Sequence, residues 1–180
     1  MANRRLAPAS EQPESFAFSP ENAEWAKTQI AKYPEGRQAS AVISLLWKAQ
    51  EQNGGWLPQK AIETVAAELG MPKIRVLEVA TFYTMYKRRP VGDYHVGVCT
   101  NTLCAVMGGD AILAALKDHL DVENGDTTPD GKVTLEHIEC NAACDYAPVM
   151  TVNWEFMDNM TPQSATDLVD DLRRALDSLG

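Results

Sequence analysis

Tyr94-His95-Val96-Gly97-Val98-Cys99-Thr100-Asn101-Thr102-Leu103-Cys104 is the stretch that decides how the chain folds. Its first half is a short apolar run that reads as a strand leading into Cys99. Residues 105–120 then read as a helix, with Ile112, Leu113, Leu116 and Leu120 turned inward. Residues 121–132 are rich in Asp, Thr and Gly, a loop ending in the turn Pro129-Asp130-Gly131. Val133, Leu135 and Ile138 mark a second strand that ends at Cys140, and residues 149–154 a third. Residues 155–158 add a fourth across a tight turn. Thr161 caps a last helix with Pro162 at its first position, carrying Leu168, Val169, Leu172, Leu176 and Leu179. The order β-α-β-β-α is that of a small α/β layer domain.

Upstream, residues 20–90 are helical text. Ser19 can cap a helix with Pro20 at its first position and Glu21 and Glu24 in its first turn. Residues 38–52 form a second helix, with Val42, Leu45, Leu46 and Ala49 at helical spacing and Asn53-Gly54-Gly55 as its stop. Residues 58–69 form a third, with Ile62, Val65, Ala66 and Leu69 on one face. The fourth opens at Pro72 and is expected to run to Arg88, just before Pro90. Residues 1–19, with Pro8 and Pro13 and little periodicity, read as a flexible N-terminal arm. The expected division is an arm over 1–19, a helical bundle over 20–90 and an α/β domain over 91–180.

The 180 residues carry 16 basic and 25 acidic side chains, a net charge of −9. That balance offers no basic face for nucleic acid. No apolar run approaches the ~20 residues that span a bilayer, and residues 1–13 lack the apolar centre of a signal peptide. The expected compartment is the cytoplasm, where cysteines point to metal or redox ligands rather than disulfides.

The chain has four cysteines. They fall as C-x4-C at Cys99 and Cys104 and C-x3-C at Cys140 and Cys144. Each pair follows the end of an expected strand, so two loops at one sheet edge can bring four thiolates together. Four thiolates suit an iron–sulfur cluster. Structural zinc takes the same donors at similar spacing, so spacing alone leaves a zinc adaptor open. Thiol exchange of the thioredoxin type wants C-x-x-C, which is absent. A Rieske centre needs histidines among the cysteines; His95, His119 and His137 are not so placed and are expected on strand or helix surfaces. Cys104 is expected just before the helix, Gly108-Gly109 can let the chain approach closely, and Thr100 and Asn101 can donate to sulfur or cap the loop. Pro148 is expected to fix the exit from the second loop.

Further motifs join these. Gly54-Gly55-Trp56-Leu57-Pro58, the run from Arg75-Val76-Leu77-Glu78 to Thr84-Met85-Tyr86, Val98-Cys99-Thr100, Glu139-Cys140 and Ala147-Pro148 together resemble the thioredoxin-like [2Fe–2S] (24 kDa) subunits of respiratory complex I, NADH:quinone oxidoreductase. The likeness covers nearly all of the chain after residue 19. It implies a helical N-terminal region followed by a thioredoxin-like [2Fe–2S] ferredoxin domain. It also implies one [2Fe–2S] cluster on Cys99, Cys104, Cys140 and Cys144. It implies a partner flavoprotein subunit that binds FMN and NADH, and a place for the complex at the inner face of the plasma membrane. Related subunits occur in NAD-linked hydrogenases and formate dehydrogenases, which these motifs do not separate. One departure stands out. Where the family commonly has Leu-Gly or Gln-Gly after its third cysteine, this chain has Asn141-Ala142.

The sequence shows no G-x-G-x-x-G, no Walker pattern and no acid–base or nucleophile–base pair. Electron transfer is then expected to rest on the cluster and on docking surfaces. Trp56, Phe82, Tyr83, Tyr86 and Trp154 are candidate interface aromatics, with core packing the better expectation for Phe82.

Overall fold

A computed structural model describes residues 6–179. The chain divides into two compact units, Met1–Pro90 and Val91–Gly180.

In the first unit, α1 (Pro20–Ile30) starts where the Ser19 side chain accepts a hydrogen bond from the Asn22 N–H. A single 3-10 turn, Gln38–Ala41, leads into α2 (Val42–Gln52). Helices α3 (Gln59–Glu68) and α4 (Lys73–Phe82) follow. Leu45, Leu46, Leu57, Val65 and Val76 are fully buried between them. The fourth helix stops at Phe82, short of the expected Arg88. The reason is a competing set of partners for the backbone of residues 83–88. The buried Gln50 side chain donates to the Met85 carbonyl at 3.1 Å and accepts from the Lys87 N–H at 2.7 Å. The Leu57 N–H donates to the Lys87 carbonyl at 2.6 Å, and the Tyr86 hydroxyl to the Ile43 carbonyl at 2.8 Å. The bonds to the Met85 and Lys87 backbone replace the helical ladder there, and the Tyr86 side chain pins the segment to α2.

The stretch read as a flexible arm is held against the helices over residues 7–18. Ala7 N–H donates to the Arg88 carbonyl, Gln12 accepts from the Gln59 N–H, and Thr64 donates to the Phe16 carbonyl. Phe16 and Phe18 meet edge to face, 5.6 Å apart, and pack on the core. Residues 1–5 of that arm lie outside the described residues.

The second unit runs β1 (Tyr94–Cys99), α5 (Thr102–Val106), α6 (Gly109–Leu120), β2 (Val133–Ile138), β3 (Met150–Val152), β4 (Glu155–Met157) and α7 (Pro162–Leu179). The sheet order is β2-β1-β3-β4. β1 and β2 are parallel, with Tyr94 opposite Val133 and Cys99 opposite Ile138. β1 with β3 and β3 with β4 are antiparallel. Val96, Val98, Leu135 and Met150 bury against Ile112 and Leu116 of α6 and Ala165 and Val169 of α7. The tight turn between β3 and β4 is Asn153-Trp154, both at positive φ, 47° and 76°.

The single helix expected over 105–120 is two helices. Gly108, at φ 109°, breaks the run between α5 and α6. Cys104 therefore sits inside α5 rather than ahead of a helix. Asn101 caps α5, its side chain accepting from the Thr102 N–H; a capping role fits it, and no bond to sulfur is needed to explain it.

Candidate metal centre

Parallel pairing sets the site. β1 and β2 end side by side, so the loops carrying the two cysteine pairs leave the same end of the sheet. Cys99 closes β1 and Cys104 follows on α5, both buried. Cys140 and Cys144 lie on the second loop and are exposed. All four thiols line one cavity of about 210 Å³, together with Asn101, Asn141, Ala142 and Val149 among others. Among the described residues no three Cys, His, Asp or Glu side chains close on a single point. The thiols surround a volume instead.

The buried side of the cavity is built from small side chains. Cys99, Cys104, Ala147 and Val149 form one apolar cluster with Ala143 against it. The Cys99 N–H donates to the Val149 carbonyl at 3.1 Å, which ties β1 to the segment after the cis Ala147-Pro148 bond. That segment is held in turn by Asn159 and Met160, whose N–H groups donate to the Tyr146 and Pro148 carbonyls. Burial pushes the Cys104 thiol up; the Val149 N–H opposes this, and the neighbouring Cys99 and Cys144 add to it. The Ala142 N–H points at Cys140 Sγ, 3.3 Å away. Soft sulfur donors, a dry inner wall and N–H groups aimed at sulfur fit an iron–sulfur group.

Ala142 holds φ 56°, a left-handed conformation that glycine adopts freely and alanine does not. A glycine at this place, as the resemblance leads one to expect, would have a local physical reason. This chain keeps the turn with alanine.

Residues 26–173 match the family of thioredoxin-like [2Fe-2S] ferredoxins. The chain belongs to that family. Membership supports a [2Fe–2S] cluster in this chain. Three relatives are each the E subunit of an NADH-quinone oxidoreductase. To that of Mycobacterium bovis the chain is 58% identical over 148 residues, covering 82% of this chain and 58% of that one. To the first such subunit of Rhizobium meliloti it is 45% identical over 171 residues, covering 94% and 62%. To that of Rickettsia bellii it is 44% identical over 159 residues, covering 88% and 95%. The chain thus spans about three fifths of the mycobacterial and rhizobial relatives and nearly all of the rickettsial one. Among solved structures, the fold is like part of an NAD+-reducing [NiFe]-hydrogenase in its H2-reduced state. The TM-score is 0.61 at 18% identity, over 72% of this chain and 22% of that one.

The other sequence candidates fall elsewhere in the chain. His95 is buried, not at a strand surface: its Nε2 lies 2.7 Å from Glu136 and its ring stacks on Trp154. The β3–β4 turn carries the indole over it, which strand text alone does not show. His137 is exposed, and His119 is exposed beside Asp170. Phe82, expected in the core, is 76% exposed, while Tyr86 is buried. Trp56 and Trp154 are half-buried and Tyr83 is exposed. Leu103, Val106 and Met107 of the α5 region and Tyr146 are exposed apolar side chains near the cysteine positions. The expected single helix over 105–120 hid Val106 and Met107, and no sequence pattern marks Leu103 or Tyr146 as exposed. No helix among the described residues is long and apolar enough to cross a membrane.

Proposed function

We propose that this chain is the iron–sulfur electron-transfer subunit of the NADH-oxidising module of an NADH:quinone oxidoreductase. Cys99, Cys104, Cys140 and Cys144 hold its cluster. The observation that carries the reading is that the chain's four cysteines line one cavity at the shared end of two parallel strands. The names of the relatives support the choice of complex.

A [2Fe–2S] cluster, when bound, takes up and gives back one electron. The protein's own parts do the rest. Four thiols lose their protons on binding metal, including the buried Cys104 that otherwise holds its proton. Ala142 and Val149 present N–H groups to sulfur, and the apolar wall of Ala147 and Val149 keeps water from one side. Cys140 and Cys144 on the exposed side, with Leu103, Val106 and Met107 nearby, offer a face to a redox partner. In this reading the partner is a flavoprotein subunit that binds FMN and NADH, and electrons pass between its flavin and this chain. The complex sits on the inner face of the plasma membrane.

Iron, sulfide and zinc analysis of the purified chain is the test. About two irons and two sulfides per chain, with the magnetic-resonance signal of a binuclear cluster on reduction, are expected. One zinc and no sulfide sinks the proposal. Co-purification with an FMN-containing, NADH-oxidising subunit tests the partner.

A further inference from the structure

We infer that the Asn141 side chain donates a hydrogen bond to the bound cluster and raises its reduction potential. The inference rests on the proposed cluster site. Asn141 lies between Cys140 and Cys144 and lines the same cavity as all four thiols. Its Nδ2 is buried and has no hydrogen-bond partner among the described residues. Proteins rarely leave a buried amide donor unpaired, since the group loses its water and gains nothing back. The other polar side chains of the wall, Asn101 and Thr102, are bonded to each other at the start of α5. Thiols, apolar side chains and backbone make up the rest. No backbone carbonyl among the described residues takes this donor, and sulfur, from a cysteine or a bridging sulfide, is the acceptor that a bound cluster would bring to it.

The loop holds Asn141 in place. Its successor is fixed in a left-handed turn by the Ala142 N–H on Cys140 Sγ, and the Tyr146 N–H closes the next turn on the Ala143 carbonyl. With the neighbouring backbone held and its Nδ2 buried, the amide faces the cavity rather than solvent. The electrostatic consequence follows directly. When one electron enters the cluster, supplied by a reduced flavin or by dithionite in a titration, the cluster gains one negative charge. A donor aimed at sulfur stabilises the more negative state more strongly, so the potential rises.

The test is a potentiometric titration of the full-length, cluster-loaded chain, wild type against Asn141→Leu, which keeps the bulk and removes the donor. Asn141→Leu is expected to keep its iron and sulfide and to show a more negative midpoint potential. It should also lose an exchangeable-deuteron coupling from the pulsed magnetic-resonance spectrum of the reduced cluster in D2O. A full cluster with unchanged potential and unchanged coupling overturns the inference. Wild-type protein labelled with ¹⁵N in the asparagine side-chain amide needs no variant. A ¹⁵N coupling to the reduced cluster is expected, and its absence overturns the inference even if Asn141→Leu fails to assemble. A wild-type chain that takes up no cluster at all is a different result and defeats the proposed function instead.

Discussion

Gly109 faces Cys99 so closely that a Cβ built on it would come within 2.5 Å of the Cys99 carbonyl oxygen, and within 2.9 Å of the Cys104 carbonyl oxygen. Both contacts are to backbone, which has no rotamer with which to give way. The first turn of α6 therefore sets how near the two cysteines of the first pair can lie. Gly109→Ala should push them apart, cost about 1–3 kcal/mol as overpacking does, and distort the visible and magnetic-resonance spectra of the cluster. Gly108→Ala is the control. It strains a residue at φ 109° that has open space around it, so it should lower stability and leave the spectra alone. Denaturant unfolding and cluster spectra of the two variants separate the cases.

Single replacement of a thiol should fail at any of the four positions. Cys104→Ala and Cys144→Ala are each expected to lose most of their iron and sulfide, or to hold a visibly altered cluster, because each removes one of four ligands. His137→Ala, at an exposed position on β2, should keep the wild-type content. Elemental analysis reads both. Four variants with full, unaltered clusters would refute the ligand set.

Ala142 holds a left-handed backbone at φ 56°. Ala142→Gly should relieve that strain and raise stability by about 0.5–1 kcal/mol, the gain being trimmed by the extra freedom glycine has when unfolded. Denaturant midpoints report it. A less stable Ala142→Gly chain means that the turn costs alanine nothing.

Tyr86 is buried with its hydroxyl on the Ile43 carbonyl at 2.8 Å. Burial holds its proton well above the usual value of 10.0, with Tyr83 adding to the effect. Its folded-state pKa is raised, so the stability it lends is present below pH 10 and is lost as the pH climbs past that value. Tyr86→Phe should cost about 1 kcal/mol at neutral pH, the net worth of one hydrogen bond, and should flatten the alkaline limb of the stability curve.

Asp130 gives the acid limb. The Thr128 hydroxyl first, and then Arg173 and the Lys132 N–H, hold its carboxyl well below the ordinary 3.8. A depressed pKa lends stability above the unfolded value and loses it as the pH falls. The expected decline therefore begins near pH 4 and deepens downward. Asp130→Asn should weaken this acid dependence, read as unfolding midpoints between about pH 5 and pH 2.

Much of the fold was legible because local physics carries it. Ser19 and Pro20 signal a helix start wherever they occur, and the apolar periods of α2, α3 and α6 survive in the structure. The end of α4 was not legible. Nothing near Tyr83 in sequence says that Gln50, on another helix, will take the Met85 and Lys87 backbone groups. The break at Gly108 was half legible, since a glycine pair marks a permissive place without saying that the helix stops there or that Gly109 packs against the Cys99 carbonyl.

The sequence by itself determined the donor set of the site: four cysteines in two pairs, each after an expected strand, with iron–sulfur and zinc both open on spacing alone. That follows from ligand type and spacing, which are properties of the chain. Only the tertiary structure decided that β1 and β2 run parallel in a register that ends both strands together. Strand pairing depends on contacts between residues far apart in the chain, which no local pattern encodes. For the same reason only the folded chain shows which thiols are buried, which alanine takes a glycine's turn, and that the amide of Asn141 has no partner among the described residues beside the cysteines.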